Sequence, residues 1–136
     1  MMSGVRLAIE RTLRLSGGLL LWVIAMSALA AGTTAEMLIQ SSPLAGFQYY
    51  AGASVWHALH EGDLLTLVRE PDNRYDADAI RVDWHGTMLG YVPRRDNVAL
   101  ARLLDKGTAV EARISRLTSS RNPWQRVLFE VYEPLQ

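Results

Sequence analysis

The sequence predicts a mainly β fold: a small, partly open barrel with one or two short helices, preceded by a hydrophobic N-terminal signal or anchor helix. Three observations carry this. The 136 residues suffice for one domain with a core and are too few for two. Short runs of alternating or continuous apolar residues are separated by Gly, Pro and polar turns. One stretch alone, around residues 93–107, has sustained helical spacing.

At the N-terminus, Arg6, Arg11 and Arg14 precede an apolar run from Leu19 to about Ala31, with the A-x-A pattern at Ala28 and Ala30. This is the layout of a bacterial-type secretory signal, with cleavage expected after Ala30 or Ala35. An uncleaved membrane anchor over residues 1–35 is the alternative, since the run from Leu15 approaches the length that spans a bilayer. Either way the mature chain is expected to be exported, periplasmic or anchored, meeting the membrane only through this segment. Residues 36–44 are expected to be a polar linker, and residues 45–136 the folded domain.

Within that domain, Phe47 to Ser54 reads as an opening strand, and VWHALHEGD as one turn of helix ending by Gly62. DLLTLVRE, bounded by Gly62 and Pro71, has the length and composition of a central strand. Ile80, Val82 and Trp84 alternate with polar residues up to His85-Gly86, where a hairpin turn leads into Leu89 and Tyr91. Leu65 and Leu67 are expected to share a core with Ile80, Val82 and Trp84. Pro93 to Gly107 reads as a helix, with Val98, Ala101 and Leu104 at helical intervals. Two alternating strands, Val110 to Ser115 and Arg126 to Tyr132, flank the polar loop TSSRNPWQ.

Composition narrows the chemistry. With no cysteine, disulfides, thiolate nucleophiles and Cys-type zinc sites are excluded. Formal net charge is zero, but acids dominate from Glu61 to Asp83 and bases from Arg94 to Arg126. No Walker loop, G-x-S-x-G or H-E-x-x-H pattern occurs, so no catalytic role has a motif behind it. No cofactor is expected. His57 and His60 are the one pair spaced to hold a divalent ion such as zinc on a helical face.

Three motifs, GFQYYAG, EGDLLTLVREPDNRYDADAIRV and LGYVPRRDNVALARLLDKG, in this order and spacing, resemble the HIRAN domain family over Gly46 to Tyr132. The resemblance implies a modified oligonucleotide-binding (OB-like) barrel that captures single-stranded DNA at a free 3′ end. By position it implies DNA-contacting roles for Tyr49 and Tyr50, for Asn73, Tyr75 and Asp76 of the N-x-Y-D turn, and for Tyr91 and Arg94. Arg74 stands where the family often has Pro, and Asp78 where Asn is usual.

The residues give such roles a physical basis. A tyrosine face stacks on any base without reading sequence. The Asp76 carboxylate repels phosphate but accepts a hydrogen bond from a terminal hydroxyl, so it would select a strand end. Arg94 and Arg95, where the helix begins, would hold neighbouring phosphates. A purely architectural reading fits the same turn, with Asp76 capping local amides and Asn73 setting backbone geometry. Two other functions fit the sequence: an exported envelope module binding a protein or glycan, and a metal-dependent phosphate-ester or acid-anhydride hydrolase using Asp72, Asp76 and Asp78.

Overall fold

The computed structural model describes residues 34–135. The expected signal or anchor, apart from its last two residues, lies outside them.

The first strand, β1 (Glu36–Pro43), occupies the stretch expected to be a linker. It pairs antiparallel with the last strand, from Glu36 opposite Pro134 to Pro43 opposite Leu128. Met37 and Leu38 are exposed, and no alternation of burial is written into the strand. A register shift between Leu38 and Gln40 breaks the period further.

The strand expected at Phe47 to Ser54 is instead helical: a 3-10 turn (Phe47–Tyr49), then α1 (Gly52–Val55), then a second 3-10 turn (Trp56–Ala58). Phe47 decides this. Its ring is fully buried, and Gly52 lies so close that a Cβ there would fall 2.2 Å from a ring carbon. The chain must fold over the ring, and turn bonds such as Tyr49 N–H to the Gly46 carbonyl (2.9 Å) hold it there.

The remaining elements follow the sequence reading. They are β2 (Leu64–Arg69), β3 (Ile80–Trp84), β4 (Thr87–Tyr91), α2 (Arg94–Asp105), β5 (Glu111–Leu117) and β6 (Val127–Pro134). His85 and Gly86 both take positive φ, 46° and 77°, which is the tight hairpin geometry that matches strand twist. α2 turns Asn97, Leu100 and Ala101 inward and leaves Val98 exposed, so its buried face is rotated by one residue from the expected one.

The strands form one antiparallel sheet in the order β1-β6-β5-β2-β3-β4. This sheet is not closed, in keeping with the partly open form expected rather than with a complete barrel. Its two edges meet at a single bridge, where Ala45 and Tyr91 exchange two backbone hydrogen bonds of 2.9 Å. Gly90 permits the approach, because a Cβ at that position would sit 2.2 Å from the Ala45 carbonyl oxygen.

Phe47, Ile80, Val82, Leu89, Leu100 and Phe129, each fully buried, form the centre of the core. Leu65 joins them, whereas Leu67 and Trp84 pack against the core from partly exposed positions. Leu67 is held off because β2 pairs with β5 over Leu64 and Leu65 only, so the strands diverge beside it.

Candidate nucleic-acid interface

The segment between β2 and β3 builds itself from local bonds. Three backbone turns follow one another, with the amides of Asn73, Asp76 and Ala79 donating to the carbonyls of Glu70, Asn73 and Asp76. Two Asx turns reinforce them: Asn73 Oδ1 accepts from the Tyr75 amide (2.9 Å) and Asp76 Oδ1 from the Asp78 amide (3.0 Å). The result presents the Tyr75 ring outward, 76% exposed, with the Arg74 guanidinium 5.8 Å from its centre.

Helix α2 supplies the facing side. Asn97, buried in its first turn, donates to Asp76 Oδ2 at 2.8 Å. The Arg94 guanidinium lies 3.6 Å from the same oxygen and donates to the Tyr75 carbonyl at 2.7 Å. Each carboxylate oxygen of Asp76 thus has a partner, yet a carboxylate accepts about four bonds and this one keeps 21% of its side chain open to solvent.

Between the two lies a cleft of about 480 Å3. Tyr50, Asn73, Tyr75, Asp76, Tyr91 and Arg94 all line it. The structure therefore gathers six of the eight residues singled out from the sequence. Tyr49, 77% exposed, and Arg95 do not line this cleft. Arg95 borders a separate hollow beside β1 and pairs with Asp96 at 3.5 Å. Tyr49 and Tyr50 lie at the end of a 3-10 turn rather than on a strand, so their rings do not alternate across a sheet.

Tyr91 is oriented from behind. Its hydroxyl donates to Glu70 Oε2 at 2.9 Å, an oxygen that also accepts from Asn73 Nδ2 at 3.0 Å, while Arg81 reaches Oε1 at 3.3 Å. Burial works against the charge on Glu70, but the bonds from Asn73 and Tyr91 and the charge of Arg81 outweigh it and lower its pKa. Burial first, then the carboxylate of Glu70, push the Tyr91 hydroxyl up to about 12. Tyr50 packs edge-on against Tyr91, ring centres 5.9 Å apart.

One aromatic lining residue was not anticipated: Trp124, 49% exposed in the turn Pro123–Gln125 between β5 and β6. A bulky aromatic in a polar loop has no core to fill, and that was its only signal. The loop is well braced. Asn122 Oδ1 accepts from the Trp124 amide (3.1 Å), Ser120 Oγ from the Asn122 amide (3.1 Å), and Arg126 Nε donates to the Ser120 carbonyl (2.8 Å).

The helical pairing expected of His57 and His60 does not form. The helical turns end at Ala58, and the His60 amide donates to Asp63 instead. Among the described residues no three His, Cys, Asp or Glu side chains converge as a metal site, whether around these histidines or around Asp72, Asp76 and Asp78.

Fold and cleft together define a small antiparallel β module with aromatic rings, one carboxylate and one guanidinium converging at the start of a helix. The HIRAN domain family model matches residues 38–136, and the chain belongs to that family. The match takes in most of β1, as the structure requires. A Fanconi-associated nuclease 1 homolog of Oryza sativa subsp. japonica is 48% identical over 52 residues, which is 35% of this chain and 5% of that protein. A helicase-like transcription factor of Oryctolagus cuniculus is 34% identical over 65 residues, 47% of this chain and 6% of that one. The chain thus matches a small part of these curated relatives. Among solved structures, a protein from Lactobacillus plantarum superposes with a TM-score of 0.64 at 25% identity, covering 73% of this chain and 95% of that one. The HIRAN domain of human HLTF superposes with a TM-score of 0.57 at 23% identity, over 74% and 81%, a likeness of fold.

Proposed function

We propose that this domain is a DNA-binding module that captures single-stranded DNA at a free 3′-hydroxyl end. The observation that carries the reading is the adjacency of Asp76 and Arg94, 3.6 Å apart, on the wall of an aromatic-lined cleft. A continuing strand offers a phosphate at the very position of the Asp76 carboxylate, which repels it. A strand end offers one hydroxyl donor and, a nucleotide away, a phosphate. An acceptor beside a cation suits that pattern, and rings of Tyr50, Tyr75, Tyr91 and Trp124 provide faces for bases of any identity. The names of the curated relatives, a nuclease and a helicase-like factor, suit a DNA partner.

The test compares oligonucleotides ending in 3′-hydroxyl and 3′-phosphate, by fluorescence anisotropy at one fixed salt concentration. The hydroxyl end should bind more tightly. Asp76→Asn should narrow the difference, costing the hydroxyl-ended strand about 1–3 kcal/mol. The amide is chosen because it can still accept from Asp78 and, with Asn97 turned over, keep that bond as well. Tyr75→Ala should weaken both strands alike by roughly 1–3 kcal/mol, since stacking does not sense the terminus. Equal binding of the two ends by the unmutated protein would sink the end-capture reading.

A further inference from the structure

Trp124 lines not one hollow but two. It also borders a second depression of about 300 Å3, bounded by Arg116, Thr118, Trp124, Gln125, Val127 and Leu128. No acidic side chain lines it. Arg116 is exposed there just after a register shift in β5, where Ile114 pairs with Phe129 and Arg116 already pairs with Leu128. Such a bulge re-aims the side chain that follows it. Arg121, also exposed, belongs to the loop that carries Trp124. Neither arginine takes part in an ion pair among the described residues, whereas Arg69, Arg81 and Arg113 all do.

The alternative way out of the cleft, along α2, is less suited to a polyanion. The hollow there holds Arg95 and Arg102 but also Asp96, which pairs with Arg95 and accepts from Ser42 Oγ at 2.9 Å. A phosphate arriving at that site would meet a fixed carboxylate.

We propose that the strand whose end occupies the cleft leaves it over Trp124, and that Arg116 and Arg121 hold the backbone phosphates that follow. The partner chemistry is single-stranded nucleic acid several nucleotides long, read first as an end and then as a charged backbone. This rests on the end-capture reading.

The experiment uses the full chain and 3′-hydroxyl oligothymidylates of about three and about eight nucleotides, the shorter below and the longer within the site sizes such small β modules cover. The unmutated protein should bind the longer strand more tightly and with a steeper salt dependence. Arg116→Gln with Arg121→Gln should leave the short strand unaffected while flattening the log–log salt slope of the long one by about 1.4. Its affinity ratio between about 50 and 200 mM salt should then shrink by about sevenfold. Arg95→Gln with Arg102→Gln should leave that slope intact. Urea midpoints equal to the unmutated protein's would show both pairs folded, as expected for exposed arginines. If the short strand binds but the first pair keeps the full length gain, or the second pair abolishes it, the exit path is wrong and end capture stands. If the unmutated chain binds neither strand, both fail together.

Discussion

Glu70 stands behind the cleft rather than in it, and it sets the posture of residues that line it. Because its carboxylate takes up the Tyr91 hydroxyl, Tyr91 is left to act through its ring. The linkage gives a pH signature. The Tyr91 pKa is raised in the fold to about 12 from an ordinary 10, so its contribution is complete below pH 10 and is lost as pH rises toward 12. Tyr132, raised by its bond to Glu130, titrates in the same direction. Stability should therefore fall above pH 10, and Tyr91→Phe should remove part of that fall while Tyr132→Phe removes a separate part, as urea midpoints across pH 9–12 would show. Glu70 works in the opposite sense: its pKa is lowered, so its stabilisation is present above the ordinary carboxylate range and is lost in acid. Gly90→Ala should cost about 1–3 kcal/mol, because its Cβ would strike the Ala45 carbonyl and part the two sheet edges beside the cleft. At this scale the sequence was informative where chemistry is local. Asn73 and Asp76 bond two residues ahead, and the N-x-Y-D pattern displays that spacing. Glu70 meets Tyr91, and Asp76 meets Asn97, across 21 positions, and no local pattern records such a meeting.

The loop from Glu70 to Ala79 supplies Asn73, Tyr75, Asp76 and Ala79 to the cleft, and one guanidinium anchors it. Arg69 donates to the Ala79 carbonyl at 2.8 Å and the Ala77 carbonyl at 3.1 Å, while Nε and Nη2 grip both oxygens of Asp105 at the end of α2. This fork ties the loop to the helix that presents Arg94 and Asn97. Arg69→Met should leave the sheet folded yet release the loop, with faster hydrogen exchange at the amides of 73–79 and a binding loss on the order of 1–3 kcal/mol. Lysine should not rescue it, since an ammonium cannot span two carbonyls and a carboxylate in one plane. If exchange in the loop is unchanged by Arg69→Met, the turns hold themselves and the fork is ornamental. Elements with a regular period were legible: the hairpin at His85-Gly86, α2, β5 and β6 fall where alternation or helical spacing places them. β1 was not, because a bulged edge strand with both faces largely exposed has no burial period to display.

Over the whole molecule, charge is sorted more finely than a net of zero suggests. Asp63 accepts from the His60 amide and the Trp84 indole, Asp83 grips Arg81, and Asp105 grips Arg69, so much of the acid is spent inside the fold. Among the described residues Arg116, which shares a hollow with Trp124, and Arg121, in the loop that carries Trp124, take part in no ion pair. The sheet order has a second consequence at this scale. β1 covers β6, whose Phe129 and Val131 are fully buried, and its continuation through Leu44 and Ala45 carries the bridge to Tyr91. Leu44 is itself buried and donates its amide to the Val127 carbonyl at 2.9 Å. A domain boundary at residue 45, natural from composition, would strip one edge of the sheet and expose a row of β6 backbone groups. A chain beginning at Thr34 should therefore unfold cooperatively in urea, whereas one beginning at Ala45 should lose the transition or aggregate. The comparison also separates β1 from the core it protects: Ile80→Ala, in the intact strand order, should cost about 2–5 kcal/mol and keep a single transition. Equal midpoints for the Thr34 and Ala45 chains would show that β1 is an accessory strand, and that β6 can serve as the edge of a five-stranded sheet on its own.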